Sequence, residues 1–162
     1  MRRLLTVPAL ALACAATLRG ADDLSRFSQV LIRPASAPFY IASVTMSFQP
    51  FIRHRATFSS TYAARVFPYF FLGEKGRIWI NIPDEALALV GRGEPVDFTG
   101  RAVNDSGDER KVEGRATPTG PWAGRIKVRV FVSKRIILTY NTTYELQGPR
   151  GEPPAVTPTP AR

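Results

Sequence analysis

The chain has 162 residues, with 22 lysines and arginines against 13 acidic residues, so its formal net charge is +9. A hydrophobic content of 44% is enough for a core, which excludes a wholly disordered chain. One cysteine and one histidine exclude an internal disulfide bond and any metal centre built from several such residues. We therefore expect a single folded domain without a metal or a cofactor.

The first 21 residues have the three parts of an export signal. Arg2 and Arg3 precede an apolar stretch, 4–16, which is followed by small residues up to Ala21. This stretch is shorter than the roughly 20 residues of a spanning helix, so we expect no transmembrane helix. We expect cleavage between residues 15 and 21. The product is then a bacterial protein of the periplasm, the cell surface or the medium.

Cys14 gives the same segment a second interpretation. The run Ala11-Leu12-Ala13-Cys14 has the form of a lipoprotein cleavage box, with Ala11 where such boxes usually have leucine. In that case Cys14 carries a lipid and anchors the protein to the envelope. Otherwise it is removed with the signal. The mass of the mature N-terminus distinguishes the two.

Residues 22–35 are expected to lead into the domain, and residues 36–146 to form it. Apolar and polar residues alternate with period two along most of this domain, which is typical of antiparallel strands with one buried face. We predict an all-β fold, an antiparallel β-sandwich or small closed barrel of seven to eight strands. The tail, 147–162, holds five prolines and is expected to be disordered.

One connection has the pattern of a helix instead. Pro83 stands where a helix begins, Asp84 and Glu85 suit its positive end, and Gly91 ends it. We therefore predict one or two helical turns over 83–89.

The segment around Gly107 is predicted to be a hairpin loop. A hairpin centred on this glycine places Gly100 opposite Gly114 and leaves a shallow trough for a large ring such as Trp79 or Trp122. Core packing explains such a trough. A ligand groove is the alternative.

The last predicted hairpin has the most regular polar surface. With Ser133-Lys134-Arg135 as its loop, three cations on one strand lie beside three hydrogen-bonding side chains on the next. This basic strip consists of Arg125, Lys127, Arg129, Thr139, Asn141 and Thr143. It suits an anionic glycan or another envelope component, and nucleic acid is not expected outside the cytoplasm. The alternative is a solvated face that prevents aggregation.

A second surface is aromatic. Phe67, Tyr69, Phe70 and Phe71 surround Pro68, so rings point to both faces of one segment. We expect this segment to be buried on both sides. The alternative is an apolar patch for a partner.

The residues that catalysis requires are not grouped in a recognisable way. His54 lies between two arginines in a run typical of a solvated loop, and no nucleophile motif accompanies it. Asp97 and Glu113 lie near arginines, which indicates cross-strand ion pairs. We therefore assign no catalytic residue and predict a non-catalytic binding or structural module of the envelope. The alternatives are a small secreted carboxylate-dependent hydrolase and a lipid-anchored lipoprotein.

Overall fold

The computed structural model describes residues 27–148. The expected export signal with Cys14, and all but the first two residues of the proline-rich tail, lie outside the described residues. Within that part the chain forms ten strands, one α-helix and a short 3-10 helix at Phe70–Leu72. The strands are β1 (Gln29–Ile32), β2 (Ala35–Phe39), β3 (Ala42–Phe48), β4 (Phe51–His54), β5 (Thr57–Phe67), β6 (Glu74–Asn81), β7 (Val96–Asn104), β8 (Glu109–Pro118), β9 (Ala123–Phe131) and β10 (Ile137–Gln147); the helix is α1 (Asp84–Gly91).

Eight of the strands close into an antiparallel barrel. The ring runs β1-β10-β9-β8-β7-β6-β5-β4 and returns to β1, while β3 and β2 are added in that order to the edge of β5. The all-β prediction is confirmed, and of its two architectures the molecule has the closed barrel. The segment expected to lead into the domain, 22–35, contributes β1 to the ring.

The long strand β5 makes this arrangement possible. On one edge it pairs with β6 over Thr57–Ala64. On the other edge, residues 57–59 pair with β4 and residues 62–67 pair with β3. The β2–β3 hairpin therefore lies on the wall at the end of the barrel that β1 and β4 do not reach.

The period-two alternation places one face of each strand inside the barrel. On β6, for example, Ile78 and Ile80 are buried while Arg77 is exposed. Among the described residues, no polar or charged side chain is fully buried, and Phe58 and Val112 are the most enclosed large side chains. Burial of this apolar face is the main stabilising contribution to the fold.

Helix α1 closes one end of the barrel. Leu87 and Val90 are buried and line a small apolar cavity of about 60 Å³, to which all eight ring strands contribute a residue. The helix lies in a connection, as predicted, and extends two residues beyond the predicted Leu89. Gly93, at φ +83°, then takes the left-handed conformation that lets the chain turn into β7.

The β7–β8 hairpin has a different register from the predicted one. Gly100 pairs with Val112, and Phe98 pairs with Gly114, a shift of two residues. The ring of Phe98 occupies the space over Gly114, where a Cβ atom would overlap it. The predicted trough is therefore filled by the directly opposite residue and not by Trp79 or Trp122. Only a glycine leaves room for that ring.

In the part of the chain that the structure describes, no helix has the length and apolar character needed to cross a membrane.

Candidate functional site: a cavity at the open end of the barrel

The end of the barrel opposite α1 holds a cavity of about 330 Å³. Its lining is almost entirely aliphatic and aromatic and comes from β2, β3, β5, β6, β8, β9 and β10. Ala64 and Val130 form part of its wall, and Tyr40 and Ile41 of the β2–β3 turn reach its mouth. The volume lies within the ~300–1,000 Å³ of ordinary small-molecule sites.

One ion pair lies in this apolar wall. Arg110 donates from Nε and Nη2 to the two carboxylate oxygens of Glu74, at 3.1 and 2.6 Å. The hydroxyl of Tyr62 and the amide of Asn104 also donate to Glu74, and Arg110 donates to the carbonyl of Val132 at 3.2 Å. The side chains of Glu74 and Arg110 are only 27% and 15% exposed. The pair adds polar groups to the wall without adding net charge.

The protonation of these groups follows from their contacts. Burial by itself would raise the pKa of Glu74, but the hydrogen bonds from Arg110 and Asn104 and the charge of Arg110 outweigh it, so this pKa is lowered. The hydrogen bond to Glu74 raises the pKa of Arg110. Burial, reinforced by the charge of Glu74, raises the pKa of Tyr62. At neutral pH the wall therefore holds a carboxylate and a guanidinium, and the neutral phenol of Tyr62 donates to that carboxylate.

Tyr140 supplies a polar group of the cavity that has no partner among the described residues. Tyr140 is 3% exposed and lines the cavity, and its hydroxyl makes no hydrogen bond to any residue of 27–148. Burial, with a smaller effect of the charge of Glu74, raises its pKa, so the hydroxyl keeps its proton. A buried hydroxyl without a partner costs free energy unless something bonds to it. A ligand oxygen or nitrogen atom that reached this hydroxyl would remove that cost.

Neither Glu74 nor Arg110 was predicted from the sequence as a site residue. Glu74 opens β6, and Arg110 lies near the start of β8. A signal was present: Glu74 continues the inward positions of Gly76 and Ile78, and Arg110 continues those of Val112. A charge at an inward position indicates a polar group inside a barrel.

The aromatic segment is exposed, so its predicted burial on both sides is wrong. Phe67, Phe70 and Phe71 are more than half exposed, as is Leu72. The chain leaves β5 at Phe67 and forms a 3-10 turn instead of a strand, so none of the described strands covers the rings. The segment borders the mouth of the cavity through Tyr69 and Leu72.

The basic strip is assembled in the predicted register. Arg129 pairs with Thr139, Lys127 with Asn141 and Arg125 with Thr143 on the outer face of β9 and β10. The structure adds one contact that the sequence did not indicate: Arg129 binds Glu113 of β8 at 2.7 Å. Within the described chain, Arg125 and Lys127 form no ion pair.

The acidic candidates for hydrolysis are engaged elsewhere. Asp97 binds Arg115 at 3.3 Å, and Glu113 binds Lys111 and Arg129. His54 is an exposed residue at the end of β4, far from the mouth cavity along that strand. Within residues 27–148, Glu74 is the single carboxyl that lines the mouth cavity.

No group of three or more histidine, cysteine or acidic side chains able to hold a metal ion occurs among the residues with described positions. Comparisons of the chain with protein-family models, with curated proteins and with solved structures found no match.

Proposed function

We propose that the protein binds a small, largely apolar ligand in the open end of its barrel, as an exported, non-catalytic binding module of the bacterial envelope. The observation that carries this proposal is the mouth cavity itself. It combines an apolar lining with one buried hydroxyl, on Tyr140, that has no hydrogen-bond partner in the described part of the chain. Ligand sites in proteins have this composition, with a few placed polar groups that fix orientation.

The charges of the wall narrow the class of ligand. The carboxylate of Glu74 and the guanidinium of Arg110 neutralise each other, so the cavity offers no net charge to an ion. A neutral molecule, or an amphiphile whose charged head stays outside, fits such a wall, because an unpaired charge inside it would lose its hydration. An ester, carbonyl or hydroxyl oxygen could accept the hydrogen bond of Tyr140.

A carboxylate-dependent hydrolase receives no support from this site. Such catalysis uses two acids, roughly 5–9 Å apart. In the described part of the cavity wall, Glu74 stands alone and accepts hydrogen bonds from Arg110, Tyr62 and Asn104.

The binding of an apolar fluorescent dye, 1-N-phenylnaphthylamine, tests the proposal. Ala64 is buried in the cavity wall, so the larger side chain of Ala64→Phe fills part of the cavity. This variant should weaken dye binding more than about tenfold. Ala64→Leu should weaken it less. The matched control is Ala63→Phe, because Ala63 directly precedes Ala64 in β5 and lies on the outer face of that strand.

Fluorescence titration gives the dissociation constants, and urea unfolding confirms that each variant is folded. Equal loss of dye binding in the Ala63 and Ala64 variants, or no binding by the unsubstituted protein, would contradict a cavity site.

A second proposal concerns the outside of the barrel, and the strand register favours it. The basic strip forms one continuous row of side chains across β9 and β10, with Arg125 and Lys127 exposed and unpaired within the described chain. We propose that it contacts an anionic glycan or another anionic component of the envelope.

A further inference from the structure

In the described part of the chain, four connections surround the mouth of the cavity, and the strand order determines their sequence around it. The β2–β3 turn lies between the β5–β6 connection on one side and the β9–β10 loop on the other. The β7–β8 loop lies on the opposite side, next to the β5–β6 connection and the β9–β10 loop. The β5–β6 connection, the β2–β3 turn and the β9–β10 loop therefore form one continuous arc at the mouth.

Two of these three connections carry large apolar side chains at their tips. In the β2–β3 turn Ile41 is 83% exposed, and Tyr40 beside it is exposed too. In the β5–β6 connection Phe71 is 82% exposed, with Phe70 and Leu72 beside it. Exposed apolar groups of this size, gathered on one end of a molecule, are unusual on a surface that meets only water.

The third connection of the arc is basic. Lys134 and Arg135 are exposed at the tip of the β9–β10 loop, directly before Ile136, which lines the cavity, and Ile137, which is exposed. The exposed acidic residues of this end, Asp105, Asp108 and Glu109, lie in the β7–β8 loop or directly after it, across the mouth from the β2–β3 turn, and the carboxylate of Glu74 is paired with Arg110. Asp108 is held within that loop by Asn104. The arc thus combines apolar rings with cations, and the acidic groups lie outside it.

We propose that this arc docks the protein on the surface of an anionic lipid bilayer, with the mouth of the cavity facing the lipid. Aromatic and aliphatic tips enter the boundary between headgroups and acyl chains, while Lys134 and Arg135 contact lipid phosphates. This surface assignment goes beyond the proposed cavity function and stands without it. An apolar ligand would in that orientation pass between bilayer and cavity without crossing water.

Vesicle co-sedimentation tests the docking surface. Phosphatidylcholine vesicles are used with and without about 30% phosphatidylglycerol. The protein begins at Asp22, because the apolar stretch 4–16 would bind vesicles by itself; all ten described strands lie beyond that point. The unsubstituted protein should bind, and bind the anionic vesicles more tightly.

Two sets of substitutions separate the apolar contribution from the electrostatic one. Ile41→Ser with Phe71→Ser should weaken binding to both kinds of vesicle more than about tenfold. Lys134→Gln with Arg135→Gln should weaken binding to the anionic vesicles alone, by about tenfold, and raising the salt concentration should reproduce that effect. Because the four side chains are exposed, all variants should remain folded.

The control substitution is Ile52→Ser, which removes an exposed isoleucine of β4, away from the mouth. It should leave vesicle binding unchanged. Absence of binding by the unsubstituted protein, or an equal loss in the Ile52 control, overturns the proposal. A dimer in lipid-free sedimentation that Ile41→Ser with Phe71→Ser dissociates, without any vesicle binding, overturns it in favour of a second copy of the chain.

The same variants separate this proposal from the cavity function. Phe71→Ser alone, and Lys134→Gln with Arg135→Gln, should keep their affinity for 1-N-phenylnaphthylamine, because none of these three residues lines the cavity. Ala64→Phe should keep its affinity for vesicles. Loss of dye binding by Ala64→Phe with intact vesicle binding supports both proposals, whereas failure of one measurement alone identifies the proposal that is wrong.

Discussion

The ion pair between Glu74 and Arg110 places two opposite charges in an otherwise apolar wall. Removing one partner leaves the other partly buried and unpaired. We expect Glu74→Gln to destabilise the protein by about 2–3 kcal/mol at neutral pH, between the ~1 kcal/mol of an exposed pair and the ~3–5 kcal/mol of a buried one. The matched control is Glu109→Gln, because Glu109 faces Arg101 at 4.0 Å on the exposed surface. This substitution should lower the free energy of unfolding by less than ~0.5 kcal/mol.

The difference in the free energy of unfolding between the unsubstituted protein and Glu74→Gln should become smaller as the pH falls. The pKa of Glu74 is lower in the folded protein than in the unfolded chain, where it is about 4.3. Its stabilising contribution is therefore complete above the unfolded pKa and is lost as the pH falls through the folded pKa. Urea unfolding at several pH values should show the unsubstituted protein and Glu74→Gln converging in acid. A difference that stays constant down to about pH 3 would show that the charge is not its origin.

At the scale of the element, helix α1 acts as the closure of one barrel end. Leu87 is 2% exposed and faces the small apolar cavity, whereas Leu89 is only partly buried. We expect Leu87→Ala to lower the free energy of unfolding by about 2–4 kcal/mol and Leu89→Ala to lower it clearly less. Denaturant unfolding measures both.

A substitution under helix α1 should leave ligand binding at the opposite end of the barrel unaffected. Leu87→Ala enlarges the cavity under the helix and leaves the mouth cavity intact, so binding of 1-N-phenylnaphthylamine should change by less than about threefold in the folded variant. A loss of dye binding as large as that of Ala64→Phe would mean that the two cavities communicate. Equal destabilisation by the two leucine substitutions would contradict the closing role of Leu87.

At the scale of the whole molecule, the formal charge of +9 makes some attraction to anionic polymers unavoidable. If the basic strip has a specific role, removing its cations must weaken binding to an anionic polymer more than removing the same number of cations elsewhere. Arg125→Gln with Lys127→Gln removes its two cations that form no ion pair within the described chain. Lys75→Gln with Arg77→Gln removes the same charge from the outward face of β6.

We expect the strip variant to elute from an immobilised anionic polysaccharide at a clearly lower salt concentration than the β6 variant. Equal elution of the two variants would show that only net charge matters and would dismiss the strip as a binding site. Arg129 is left in place because it already binds Glu113, and its removal would disturb that carboxylate as well.

The sequence by itself determined the fold class, the position of the helix and the register of the last hairpin. These depend on local alternation and on turns of few residues, such as the one between Val132 and Ile136, which are legible without knowledge of distant partners. The β7–β8 register was missed by two residues because the loop alone does not reveal that Phe98 needs the space over Gly114.

Only the tertiary structure decided what the interior and the mouth of the barrel contain. Closure of the ring requires β1 to pair with β10, at the other end of the described chain, and the closed ring brings Glu74, Arg110 and Tyr140 to one cavity. The exposure of Phe71 has the same origin, because a ring is buried only if another segment covers it. Such long-range contacts depend on the geometry of the whole chain, and no local pattern of residues encodes them.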